Sequence, residues 1–187
     1  MTMKDHKQAT SHLTVTALMA AAMCILGPLS VPIGAIPISL TNLVVCLAAW
    51  MLGPRLGAAS VGVYLVLGAV GLPVFSGYAG GLAKLLGPTG GYLIGFVAQA
   101  AIGGWAVERS HGHPVWSGLG MAAGIAVSYA FGTAWFIVQM GCTLPYALGV
   151  CVLPFLPFDL AKVILSSAVG SVIRERLLRA GLIGRNL

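Results

Sequence analysis

This sequence is short of charge. Only 7% of its 187 residues are charged, and four acidic residues stand against ten Lys or Arg. Soluble domains carry about 25% charged residues, so a water-facing surface cannot be built from this inventory. Disorder is excluded as well, because 58% of the residues are hydrophobic and disordered chains are polar. Cysteine is equally sparse: Cys24, Cys46, Cys142 and Cys151 are scattered, with no CxxC. That spacing gives no disulfide framework and no metal set, and these residues read as small apolar side chains. His6, His12, His111 and His113 lie in a terminal tail or a connection, not in an apolar run. A Ser/His pair or a pair of acids inside the apolar segments is therefore missing, and catalysis finds no support. The net charge of +6 forms no basic stripe with interleaved aromatics, so nucleic acid is not an expected partner.

What is present is apolar sequence in long runs. Mean hydropathy is +0.97. At ~20 residues per crossing the length allows about five to seven membrane helices in one domain. Runs at 13–29, 40–52, 56–71, 89–107, 115–140 and 158–178 are separated by Gly, Pro or charged residues. The first is preceded by Lys4, Asp5, His6 and Lys7 and leads into Gly27-Pro28 and further apolar sequence, with no small-residue cleavage site. It reads as a retained span. The run at 40–52 is short for a ~30 Å hydrocarbon core. Residues 30–39, with Pro32, Pro37 and Gly34, read as a loop; Leu144–Pro157, with Pro145 and Pro154, reads as a short interfacial helix or loop.

Six spans place both termini on one side. That side then holds Lys4, Lys7, Arg55, Arg109, Arg174, Arg176, Arg179 and Arg185, while the outer segments hold only Lys84. The asymmetry is the positive-inside pattern. The expected fold is an all-α integral membrane protein with six transmembrane helices, cytoplasmic N and C termini and Gly/Pro-rich outer loops. It is one domain, residues 1–187, with cytoplasmic tails at 1–12 and 179–187.

Asp159 and Lys162 are the charged residues that fall early in an otherwise apolar span. Each costs roughly 2.5–3.5 kcal/mol at a helix centre, and such residues usually face a cavity. The i, i+3 spacing puts both on one face. The pair reads either as a mutual ion pair at the membrane surface or as a site for a ligand with N–H donors and an anionic group. Pro157 suits a first helical turn, which sets the pair near the outer mouth of its helix.

A second constellation is Gly87-Pro88-Thr89-Gly90-Gly91-Tyr92. Its glycines permit close backbone approach, and free N–H groups at a helix start favour an anion. It lacks the spacing of a P-loop, and it also reads as a plain turn between helices. Small residues recur at four-residue spacing in Ala17/Ala21, Gly91/Gly95 and Gly120/Gly124, which lets helices pack closely in lipid. The two glycine pairs read as internal packing and the alanine pair as a contact for a partner subunit. Asn42, Tyr129, Trp135 and Gln139 are further polar residues in spans, read as interhelical hydrogen bonds or ligand contacts.

Three segments, Gly71-Leu-Pro-Val-Phe-Ser-Gly-Tyr-Ala-Gly-Gly81, Gly87-Pro-Thr-Gly-Gly-Tyr-Leu-Ile-Gly-Phe96 and Pro154-Phe-Leu-Pro-Phe-Asp-Leu-Ala-Lys162, resemble the BioY proteins. These are the substrate-binding (S) components of energy-coupling factor transporters for biotin. The resemblance runs from the first span to the end of the last, and implies six helices with cytoplasmic termini in a bacterial-type plasma membrane. It implies biotin as transported ligand, no cofactor, and a site near the outer face. Asp159 would take part in recognition of the ureido ring and Lys162 would reach toward the acid. Gly77 to Gly81 and Thr89, Gly90, Gly91 and Tyr92 would shape the pocket, and Phe75 and Tyr78 would pack on the apolar rings. Ala17 and Ala21 match a helix-one patch that docks on a transmembrane coupling subunit driven by two ATPases. Some BioY proteins lack a dedicated module, so a solitary transporter or a homo-oligomer is also compatible. The sequence departs at Ala79 and Leu93, where some relatives place an amide and a basic residue, and at Phe158, where the family's glycine is usual. Lys84 is then the candidate for the missing positive charge. An S component for another small vitamin is the alternative reading, and an intramembrane enzyme using Asp159 and Lys162 or a structural subunit without ligand lies further off.

Overall fold

The computed structural model describes residues 3–33 and 36–183. Its element order is α1 (Met3–Leu26), β1 (Ser30–Ile33), β2 (Ile36–Ser39), α2 (Thr41–Ala69), α3 (Leu82–Leu86), α4 (Gly90–Arg109), α5 (Pro114–Met140), α6 (Leu144–Cys151) and α7 (Leu156–Arg179). The fold is helical apart from one hairpin. Residues 30–39, expected as a loop, pair antiparallel with Ser30 opposite Ser39 and Val31 opposite Ile38. Backbone pairing across a tight reversal satisfies the polar groups of a segment that has few polar side chains.

The expected breaks at prolines and glycines recur, with one difference. The runs at 40–52 and 56–71 form the single element α2, interrupted at Gly53 (φ 71°, ψ −167°) before Pro54. Proline disfavours a helical residue before it, and glycine tolerates the positive φ. The chain reverses there. A Cβ on Gly57 would lie 3.4 Å from the Ala48 carbonyl oxygen, whereas residues nine apart along a straight helix are separated by about 13 Å. α2 is thus two antiparallel arms, 41–52 and 54–69. Pro54 has no N–H for the Trp50 carbonyl, and Arg174 on α7 supplies the donor instead (Nη1–O 2.9 Å).

α1 begins at Met3, inside the region expected as a tail, and α7 ends at Arg179 where the second tail was expected. The end of that tail, 184–187, lies outside the described residues, as does the start of the first. Leu144–Cys151 is a short helix, as expected for that segment. Helices α2, α4, α5 and α7 are long and apolar enough to cross a membrane. Their outward faces carry large apolar side chains such as Val138 (83% exposed), Val66 and Ile164, a surface that suits lipid rather than water. The chain is a multi-pass membrane protein.

One cluster joins Met23 of α1 to Val44, Val45, Leu52, Val61 and Tyr64 of both α2 arms. A second joins Trp50 to Val107, Met121 and Val163. A third joins Tyr92, Phe136, Cys151 and Phe155. Glycines set the α4–α5 spacing. A Cβ on Gly132 would fall 2.3 Å from the Tyr92 ring, and one on Gly91 would fall 2.4 Å from Trp135 Cβ. The Gly91/Gly95 and Gly120/Gly124 pairs therefore pack inside the molecule, while Ala17 and Ala21 stay exposed on α1 beside Leu18 and Ile25.

Candidate functional site

Asp159 sits in the first turn of α7, whose start is set by Pro157. It is buried, and both carboxylate oxygens are engaged. Lys162 Nζ donates to Oδ1 at 2.9 Å, and the Tyr129 hydroxyl of α5 donates to Oδ2. Lys162 Nζ also donates to the Ser39 carbonyl of β2 at 3.0 Å. One ammonium thus ties α7 to the end of the hairpin. The side chains of Asp159 and Lys162 keep only 8% and 12% exposure. Attraction between such a buried pair offsets the loss of water, and removing either partner would leave the other charge uncompensated.

A cavity of about 70 Å³ lies beside this cluster. Pro37 and Ser39 of the hairpin, Asn42 of α2, and Tyr92, Phe96 and Gln99 of α4 form part of its wall. Ile125, Ser128 and Tyr129 of α5, Cys151 and Phe155 at α6 and its exit, and Lys162 complete it. The wall is mostly apolar or aromatic with a few convergent polar groups, the composition of a small-molecule site. Gln99 Nε2 donates to Asn42 Oδ1 and lies 3.5 Å from Cys46 Sγ. The Tyr92 and Thr133 hydroxyls share a hydrogen bond of 2.9 Å.

Of the expected residues, Asn42, Tyr92 and Lys162 reach the cavity wall, and Asp159 stands directly behind Lys162 and Tyr129. Thr89 caps α4, and Gly90 and Gly91 open it, so these three position Tyr92 rather than line the space. Trp135 holds that turn in place by donating to the Gly87 carbonyl at 3.0 Å.

Other expected residues stand away from this cavity. Phe75 is fully buried against Tyr64, with ring centroids 5.4 Å apart and edge to face, and it lies over Gly68. It is a core residue because Gly68 leaves a ring-sized gap there. Tyr78 is 66% exposed, and Ala79 uses its carbonyl to accept from the Phe75 N–H at 2.9 Å. Lys84 on α3 and Gln139 near the end of α5 also stand apart from the cavity. Phe158 is half exposed on the outer side of α7 and does not narrow the space. Gln99 and Ser128, which the sequence reading passed over, lie in the wall. The available signal was their polarity within the apolar runs 97–102 and 121–131.

The chain is similar to known proteins in sequence and in fold. The sequence model of the BioY family matches residues 1–179. The "Probable biotin transporter BioY" of Pyrococcus horikoshii is 38% identical over 164 residues, 88% of this chain and 94% of that protein. The "Biotin transporter BioY" of Thermotoga maritima is 34% identical over 86% of this chain and 95% of its own length. A crystal structure of "the S-component for biotin from an ECF-type ABC transporter" superposes with a TM-score of 0.85 at 32% identity, covering 94% of this chain and 95% of that one. With the family match over nearly its whole length and a fold shared with a solved S component, this chain belongs to the BioY family.

Proposed function

We propose that this chain is the biotin-binding membrane subunit of a biotin uptake system, taking biotin as cargo and catalysing no reaction. The observation that carries this reading is the Tyr129–Asp159–Lys162 cluster beside a mostly apolar cavity in a chain of the BioY family. Biotin combines a ureido group, an apolar thioether ring and a carboxylate at the end of a four-carbon chain. Asp159 and Lys162 stand 2.9 Å apart, too close to serve the two ends of so extended a molecule. Both are therefore assigned to the ureido group, the carboxylate accepting an N–H and the ammonium donating to the carbonyl. Phe96, Ile125 and Phe155 offer the apolar contacts for the rings.

The cavity of about 70 Å³ is far below the ~300 Å³ of ordinary ligand pockets. Entry of biotin requires the wall to part. The hairpin is the natural moving piece, because Lys162 holds its end through one hydrogen bond to Ser39. Binding would replace that bond with one to the ligand.

The arms of α2, about 18 Å and about 24 Å long at 1.5 Å per residue, count as two crossings in this reading. With α1, α4, α5 and α7 they make six, and both termini fall on one side. Arg55, Arg109, Arg174, Arg176 and Arg179 gather at the end of the bundle away from Asp159, which supports a cytoplasmic assignment for it. The membrane is then a plasma membrane of bacterial type. The exposed alanines of α1 suit docking on a coupling subunit driven by two ATPases. Titration of the purified protein with biotin, riboflavin and thiamin tests the reading. Binding of biotin alone, weakened by Asp159→Asn and Lys162→Ala, is expected; stabilisation by riboflavin or thiamin and not by biotin would overturn it.

A further inference from the structure

The cavity wall includes two polar residues that the Asp159 cluster does not use. Gln99 is 1% exposed and Ser128 is 2% exposed. Gln99 Oε1 and Ser128 Oγ have no hydrogen-bond partner among the described residues, although both residues line the cavity. A buried polar atom without a partner is costly, and an apolar residue of similar shape would fill either place more cheaply.

The two residues face each other's helices through glycines. A Cβ on Gly95 of α4 would lie 2.8 Å from Ser128 Oγ, and one on Gly124 of α5 would lie 3.3 Å from Gln99 Cγ. Each polar side chain thus packs against a glycine of the other helix. The Gln99 amide nitrogen is committed to Asn42 and Cys46, which turns the oxygen away from them. A helical serine commonly returns its proton to a carbonyl one turn back; Ser128 does not.

We propose that Gln99 and Ser128 contact the ligand and complete a four-point site for a cyclic urea. The proposal rests on the biotin reading above. A ureido ring carries two N–H donors and one carbonyl acceptor. Asp159 can accept from one N–H, but its oxygens already take the Tyr129 and Lys162 donors. The second N–H needs another acceptor, and Gln99 Oε1 is the uncommitted one in the wall. The carbonyl has two lone pairs; Lys162 meets one and the Ser128 hydroxyl the other. The pocket then selects a urea over a lactam or an ester, because those ligands would leave one of the four groups unsatisfied.

Isothermal titration of the purified full chain in detergent tests this, using biotin and biotin methylated on one or the other ureido nitrogen. Ser128→Ala is expected to weaken biotin about tenfold, and Gln99→Leu by about ten- to hundredfold. The thermal midpoint of unliganded Ser128→Ala should be unchanged or raised, since no bond is lost. The Gln99→Leu penalty should vanish for one of the two methylated ligands, the one whose methyl group faces Gln99. If the wild type binds biotin while Ser128→Ala and Gln99→Leu bind it equally well, the four-point site is wrong and the biotin reading stands. Should Gln99→Leu fail to fold, Ser128→Ala alone decides, because a drop in its unliganded thermal midpoint with unchanged affinity would mark Ser128 as structural. If the wild type binds no biotin, both readings fail together.

Discussion

Arg174 on α7 donates through Nη1 to the carbonyl of Trp50 at 2.9 Å, and Trp50 lies four residues before Pro54. The proline cannot make that bond from its own backbone, so a side chain 120 residues further on makes it. The first arm of α2 ends, α7 is held against it, and an arginine is buried to 6% exposure. Arg174→Met should leave the Trp50 carbonyl unpaired and cost about 1–3 kcal/mol. A lower thermal midpoint in detergent with near-normal biotin affinity is expected. Unchanged stability would show that the carbonyl finds another donor.

The Asp159–Lys162 pair calls for a different test. Removing one partner of a buried pair costs about 3–5 kcal/mol, whereas replacing both is often nearly neutral. Asp159→Asn and Lys162→Met should each lower the thermal midpoint and abolish tight binding. The double variant should regain stability over either single variant and still fail to bind. If stability falls additively in the double variant, the two charges do not compensate each other.

Tyr129→Phe removes one donor from Asp159 Oδ2 and keeps the ring in the wall. Loss of a hydrogen bond to a charged group is worth about 1.5–3 kcal/mol. Biotin affinity should fall by at least tenfold, read by titration, with the fold intact by circular dichroism. Equal affinity would remove Tyr129 from the site.

The exposed alanines separate binding from transport. Ala17→Trp and Ala21→Trp alter an outward face of α1 far from the cavity wall. Biotin titration of the purified variants should match the wild type, while uptake by cells expressing them with a coupling module should fail. Normal uptake would place the docking surface elsewhere.

Gly132→Ala would bring a Cβ to 2.3 Å from the Tyr92 ring. The ring forms part of the cavity wall, so its displacement should weaken biotin several-fold. A matched change at Gly149, where a Cβ meets nothing within 4 Å, should leave affinity alone.

Much of the architecture was readable without coordinates. Helix ends fall at Gly53-Pro54, His113-Pro114 and Gly141 because proline and glycine act on the backbone locally. Asp159 and Lys162 stand out because charge is so rare in this chain. Gln99 and Ser128 did not stand out, since a polar residue in an apolar helix looks the same whether it meets a ligand or a neighbouring helix. Phe75 and Tyr78 stand away from the cavity for a related reason. An aromatic residue in a Gly-rich segment suggests a pocket, but Gly68, from another element, is what receives the Phe75 ring.

Membrane residence, the order of the helical segments and the identity of the charged pair were determined by the sequence itself, through composition and local backbone chemistry. Tertiary structure alone decided that Arg174 replaces the missing proline N–H. It also decided that residues 30–33 and 36–39 pair as strands tied to Lys162, and that Gln99 and Ser128 each pack against a glycine of the other's helix. These outcomes depend on which surfaces come within a few ångströms of each other across distant parts of the chain. Such distances are set by the packing of whole helices and are written in no single stretch of residues.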